Sequence, residues 1–124
     1  MRFIPTKIHG LLDYLSAGLF LLSPWLFGFA DGGAAQYVPM GVGAFVLVYS
    51  LLTNYELGLV RRLSMPTHLA LDLGVSGLFL GASPWLFGFA DEVYLPHLLF
   101  GLFSVSAGLF THKVPYDGRV HVQS

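Results

Sequence analysis

The sequence contains no cysteine, which excludes disulfides, zinc–thiolate sites and thiol nucleophiles. Charge is scarce too: Lys, Arg, Asp and Glu make up 10% of the 124 residues, against about 25% in ordinary soluble domains. A net charge of −1 offers no electrostatic footprint for nucleic acid. There is no nucleophile–base arrangement, phosphate loop or dinucleotide motif, so no enzymatic activity and no cofactor are expected. A removable signal peptide is not expected either, because the first apolar run starts after Lys7, is too long, and lacks a small-residue cleavage site followed by a soluble domain.

What is present is apolar. Hydrophobic residues make up 55% of the chain and the mean hydropathy is +0.69, values that belong with membrane proteins. Four apolar stretches can be marked, Ile8 to Ala30, Tyr37 to Val60, Leu69 to Ala90 and Val93 to Phe110. Each is close to the roughly 20 residues that a helix needs to cross the hydrocarbon core. Helices are expected because a lipid-exposed backbone must satisfy its own hydrogen bonds. The expected fold is all-α, a four-transmembrane-helix bundle forming a single integral membrane domain over 1–124. Its parts are a first repeat over about 4–60, a second over about 65–112, and a polar tail at 113–124.

All six basic residues fall at the chain ends or in the middle connection: Arg2 and Lys7, Arg61 and Arg62, Lys113 and Arg119. With four crossings these segments share one side, and the positive-inside bias places both termini in the cytoplasm. Asp31, Asp91 and Glu92 then face outward.

The nine residues SPWLFGFAD occur twice, at Ser23 to Asp31 and at Ser83 to Asp91. Around them the order of His9, Asp13, Gly18-Leu-Phe-Leu21 and Thr53 recurs as His68, Asp72, Gly77-Leu-Phe-Leu80 and Thr111. Each half therefore reads as a hairpin of two spans, and an even number of crossings per unit predicts a pseudo-twofold along the membrane normal.

These doubled Ser-Pro-Trp motifs, with Pro66-Thr-His68-Leu-Ala-Leu-Asp72 ahead of the second, resemble the SPW repeat family of small integral membrane proteins, over roughly Ile4 to Thr111. The resemblance implies a four-span bundle in a prokaryotic cytoplasmic membrane, and carries no catalytic residue or cofactor with it.

Within the motif, Pro24 and Pro84 cannot donate to the carbonyls four residues earlier, at Phe20 and Leu80, so a kink or break is expected. Ser23 and Ser83 read as N-caps of a new turn. The second copy has one residue more between Gly-Leu-Phe-Leu and Ser-Pro-Trp. In one unbroken helix that residue would turn the following face by about 100°; a discontinuity at Ser-Pro would absorb it. Trp25 and Trp85 are expected as interface anchors, and Gly28 and Gly88 as points of close backbone approach. Gly41 and Gly43 on the second span, with Gly74, Gly77 and Gly81 on the third, offer further close contacts.

The candidate site lies towards the cytoplasmic end. His9 and Asp13, and His68 and Asp72, are four apart and share a helix face. Thr53 and Glu56, with Thr111 and His112, reach the same level. Three readings are open. Each Asp can pair with its own His or with neighbouring hydroxyls and amides and tie helices together, where such bonds average about 0.6 kcal/mol. The cluster can be a proton- or ion-coupled site of a transporter or channel. It can hold a metal, or a haem with His9 and His68 as axial ligands, although the usual bundle pattern is Glu-x-x-His and not His-x-x-x-Asp. The outer half of every span is almost purely apolar, which favours a structural or accessory protein over a pathway. His97 and His121 are expected at the interface or in solvent. The expected partners are the lipid bilayer and either further copies of the chain or a larger membrane complex.

Overall fold

A computed structural model describes residues 2–115. The described residues form four helices and no strands: α1 (Thr6–Leu26), α2 (Ala34–Leu51), α3 (Met65–Leu86) and α4 (Leu95–Phe110). Two of them, Ala34–Leu51 and Met65–Leu86, are long and apolar enough to cross a membrane; Leu95–Phe110 is apolar but shorter. His121 and Arg119 lie outside the described residues.

The second helix stops at Leu51 and not at Val60. Residues 52–64 turn back on the helix end, with the Leu59 and Val60 amides on Leu51 O and the Asn54 amide on Leu63 O at 2.7 Å. Thr53 and Leu63 form a short parallel bridge there, and Ile4 and Thr111 form its counterpart between the chain's start and the end of α4. The start of α1 thus sits beside the end of α4, and the start of α3 beside the end of α2. Arg2 donates to Gly108 O and Thr111 O at 2.9 and 2.7 Å, supplying a cation to the last carbonyls of α4.

The helices do not break at Ser-Pro. α1 continues through Pro24 to Leu26 and α3 through Pro84 to Leu86. Ser23 Oγ donates to Phe20 O at 2.8 Å and Ser83 Oγ to Leu80 O at 2.7 Å. These are the two carbonyls that proline leaves without an amide, so each serine repairs its neighbour's missing bond and neither is an N-cap. The same logic holds across the bundle, where Pro39 frees Ala35 O and His97 Nε2 donates to it at 2.9 Å.

The extra residue of the second copy is absorbed earlier, inside α3. Over Asp72–Phe79 the helix widens into a π-helix, in which the Leu80 amide reaches Val75 O, five residues back. One additional residue per widened turn restores the facing of Ser83 and Pro84, and α3 ends with 22 residues where α1 has 21.

Each SPWLFGFAD segment then closes its helix. The Phe27 and Phe29 amides bond to Ser23 O and Pro24 O, as do those of Phe87 and Phe89 to Ser83 O and Pro84 O. Gly28 and Gly88 adopt φ of 76° and 75°, the left-handed C′ position of a Schellman ending. A Cβ on either would meet nothing within 4 Å, so these glycines serve the turn and not a close approach. Close approach occurs at Gly43 against Ala17 and Phe20 of α1, and at Gly101, where a Cβ would lie 2.5 Å from Gly81 Cα. Gly41 and Gly74 face open space.

The interior is more polar than the exterior. A mid-bundle layer of Ala17, Phe20, Val42, Val46, Tyr49, Leu80 and Phe100 is apolar, but His9, Asp13, Thr53, His68, Asp72, His97 and Thr111 are all buried as well. Leu22, Leu78, Trp25, Trp85 and Leu102 point outward, Leu78 with 69% of its surface exposed. At the end opposite residues 2–5 and 52–64, Phe29 and Phe89 flank the His97 ring at 4.8 and 4.9 Å. His97, expected at the interface or in solvent from its place at the start of the fourth span, is fully buried within the protein. Its aromatic flanks and its bond to Ala35 O account for that.

Candidate functional site

Helical spacing puts His9 and Asp13 on one face of α1, and His68 and Asp72 on one face of α3. The hairpins bring these faces together near the end that carries residues 2–5 and 52–64. The four side chains offer ligand atoms that all lie within 4.8 Å of one another, and all four are buried. The closest contacts cross between hairpins. His9 Nε2 is 2.7 Å from Asp72 Oδ2 and 3.1 Å from Asp13 Oδ1, while His68 Nε2 is 2.9 Å from Asp13 Oδ2 and 3.4 Å from Asp72 Oδ2. Each aspartate is therefore nearer to the other hairpin's histidine than to its own.

The threonines fix the outer face of each ring. Thr111 Oγ1 donates to Ala107 O at 2.6 Å, and Thr53 Oγ1 donates to Tyr49 O at 2.6 Å. With their single hydrogens committed, both hydroxyls can only accept, from His9 Nδ1 and His68 Nδ1 respectively, each at 2.7 Å. Nδ1 therefore carries a proton in both rings, and Nε2 of both points at the carboxylates. With Nε2 also protonated, the quartet consists of two imidazolium–carboxylate pairs and has no net charge.

Two tyrosines, absent from the residues expected on sequence, complete the site. Tyr55 Oη donates to Asp13 Oδ2 at 2.6 Å, and Tyr49 Oη donates to Asp72 Oδ1. Burial, and then the charge of Asp13, push the Tyr55 phenol above its ordinary range, so it remains a donor. The signal was the run Tyr49, Thr53, Tyr55: Tyr49 and Thr53 share a helix face, and Tyr55 lies in the turn beyond, where periodicity says nothing. Ser76, in the widened part of α3, sits 3.3 Å from the Tyr49 phenol oxygen.

Two expected members lie apart from the quartet. Glu56 accepts from Thr6 Oγ1 at 2.7 Å. His112 is half-buried and gives its backbone amide to Ile4 O at 2.9 Å. Thr53 and Thr111 join the cluster only through the histidine rings.

Beside the quartet is a cavity of ≈ 20 Å³, lined by His9, Asp13, Asp72, Ser16, Ser76 and Ser104, and also by apolar side chains that include Phe20 and Val46. That is room for about one water or a small ion. The His9 and His68 rings are 5.3 Å apart, edge to face, with no gap for a porphyrin between them.

An all-helical chain with an apolar exterior and a buried His–Asp quartet near one end defines a small helical protein with membrane character. The chain belongs to the family of the SPW repeat domain, which matches residues 7–111. It matches no curated protein and no solved structure.

Proposed function

We propose that this protein is a four-span integral protein of a prokaryotic cytoplasmic membrane, with a structural or accessory role. The reading rests on the inverted distribution of polarity: buried histidine, aspartate, threonine and serine inside, large exposed leucines and aromatics outside. Such a surface fits lipid and not water. Membership of the SPW repeat family supports it, as do the two helices of spanning length. α1 and α4 would complete the four crossings, with both chain ends and residues 52–64 in the cytoplasm.

We also read the two hairpins as a duplication related by a pseudo-twofold along the membrane normal. Support comes from the paired contacts His9–Thr111 and His68–Thr53, the parallel bridges Ile4–Thr111 and Thr53–Leu63, and the matching Ser-to-carbonyl repairs. On this reading the quartet is a clasp: each hairpin supplies one His and one Asp, and the shorter contacts run between hairpins. Buried polar groups act as such cross-links in membrane bundles. The partners are the bilayer and either further copies of the chain or a larger membrane complex.

A proton- or ion-coupled role is the second reading, favoured by the small cavity that His9, Asp13, Asp72 and three serines help to line. Phe20 and Val46 close that cavity, and the apolar layer they form with Leu80 and Phe100 offers no polar continuation.

The absence of native cysteine makes topology directly testable. Single Asp31→Cys and Asp91→Cys variants should react with an impermeant maleimide in intact cells, and Arg61→Cys only after permeabilisation. External labelling of Arg61→Cys would overturn the orientation. In proteoliposomes the wild type should add no proton or cation flux to that of empty vesicles; a flux lost in folded Asp13→Asn or Asp72→Asn would overturn the structural role.

A further inference from the structure

We propose that His9, Asp13, His68 and Asp72 bind one divalent first-row transition-metal ion of the zinc type, with both Nε2 atoms and one oxygen of each carboxylate as ligands. The inference goes beyond the structural role and needs only the geometry of the quartet, not the orientation of the protein in a membrane.

The first support is the donor set. Two imidazole nitrogens and two carboxylates within 4.8 Å of one another, all buried, suit zinc and its borderline neighbours. A tetrahedral ion with bonds of about 2.1 Å needs ligand separations of about 3.4 Å. The present N···O separations run from 2.7 to 3.4 Å, Asp72 meeting both rings through Oδ2 and Asp13 meeting His9 through Oδ1 and His68 through Oδ2, so the tightest edge must open by about 0.7 Å and Asp13 must turn one oxygen to the ion.

The second support is the surroundings. A ligating histidine donates its other ring N–H to a fixed acceptor, which sets the tautomer and aims the free nitrogen. Both rings have that arrangement, because Thr53 and Thr111 have committed their own hydrogens to helix carbonyls and can only accept from Nδ1. Ligating carboxylates are held in the same way, and here Tyr49 and Tyr55 hold one oxygen of Asp72 and of Asp13.

The third support is His68 Nε2. It is fully buried, faces the quartet, and makes no aligned hydrogen bond although Asp13 Oδ2 is 2.9 Å away. As an N–H it meets Asp13 Oδ2 off its axis; as a bare nitrogen it presents its lone pair to the quartet, the form a metal would engage.

Charge allows loading. Two carboxylates, two neutral rings and one M²⁺ sum to zero. A loaded site therefore adds no uncompensated charge to a low-dielectric interior.

The test uses the full chain purified in detergent, loaded with ZnCl₂ and desalted. One zinc per chain is expected by elemental analysis, and Co²⁺ in its place should give the intense visible bands of a tetrahedral site. His9→Gln with His68→Gln should lose the ion and the bands, and His112→Gln should keep both. No stoichiometric zinc on the folded wild type, or zinc retained by the double variant, overturns the proposal. Should the double variant not fold, Thr53→Val with Thr111→Val decides. Weakening of zinc affinity by about 10- to 100-fold is expected from loss of ring-orienting partners, and unchanged affinity overturns the site. Maleimide labelling reports topology separately, so failure here leaves the membrane reading standing.

Discussion

His97 Nε2 donates to the carbonyl oxygen of Ala35 at 2.9 Å, joining residues 62 positions apart. Ala35 is the residue whose helical partner is removed by Pro39. One hairpin therefore supplies the hydrogen bond that the other has lost, while Phe29 and Phe89 enclose the ring that provides it.

His97→Leu should leave Ala35 O unsatisfied and destabilise the protein by about 1–3 kcal/mol. In a Pro39→Ala background the amide of residue 39 returns to that carbonyl and the cost should shrink. Denaturant unfolding in detergent on the four-member cycle measures the coupling. Equal losses in both backgrounds would show that His97 acts only through its ring packing.

The Ser-Pro motif makes the same kind of prediction within a single helix. Ser23→Ala and Ser83→Ala should each cost about 1–3 kcal/mol, because Phe20 O and Leu80 O then have no donor. Ser23→Ala combined with Pro24→Ala should recover most of that loss. Full additivity of the two changes would contradict the repair role of the serine.

Much of this was legible in the sequence. Apolar runs and breaks located four helices, the doubled motif paired them into hairpins, and i, i+4 spacing put His9 with Asp13 and His68 with Asp72. Their convergence followed from assuming two like hairpins side by side. The orphaned carbonyls at Phe20 and Leu80 were visible too, since proline's lack of an amide is local chemistry. Which donor answers them was not: a Ser before Pro caps a new helix as readily as it repairs an old one, and only tertiary packing chooses. His97 was misjudged for a related reason, because a histidine at a helix start looks solvated until the partner carbonyl from another hairpin is in place. Tyr55 lies in a turn, where no periodicity points to Asp13.

Glycine positions separate turn chemistry from packing. Gly28→Ala and Gly88→Ala place a Cβ at φ of 76° and 75° and should each cost about 1–2 kcal/mol. Gly101→Ala should be worse, since Gly81 Cα and Gly77 O would lie 2.5 and 2.6 Å from the new Cβ and force α4 away from α3. Gly74→Ala, with open space around it, should be neutral or stabilising by up to about 1 kcal/mol. A uniform response across these sites, read from thermal unfolding, would refute the distinction.

The widened turn of α3 follows from a count of residues. Deleting Ala82 gives the second copy the spacing of the first and should return residues 72–79 to α-helical bonding, with Ser83 now donating to Phe79 O, three residues before it as Phe20 is before Ser23. A structure of the deletion variant checks this. Persistence of five-residue bonding would show that packing around Asp72 and Ser76, and not helix length, imposes the wide turn.

Tyr55 tests the quartet from outside the helices. Its phenol donates to Asp13 Oδ2 at 2.6 Å, and hydrogen bonds to charged groups contribute about 1.5–3 kcal/mol, so Tyr55→Phe should lose an amount of that order at neutral pH. The pH dependence has a definite sign. Burial and Asp13 raise the phenol's pKa in the folded state, so its stabilisation is fully present below the unfolded value of about 10. Above that value the unfolded chain releases a proton that the folded chain retains, and the wild type loses stability as pH rises. Phenylalanine has no such proton. The gap between wild type and Tyr55→Phe should therefore be constant from neutral pH to about 9 and narrow beyond about 10. A gap that widens with alkali would mean that the phenol ionises in place and that Asp13 is not its acceptor.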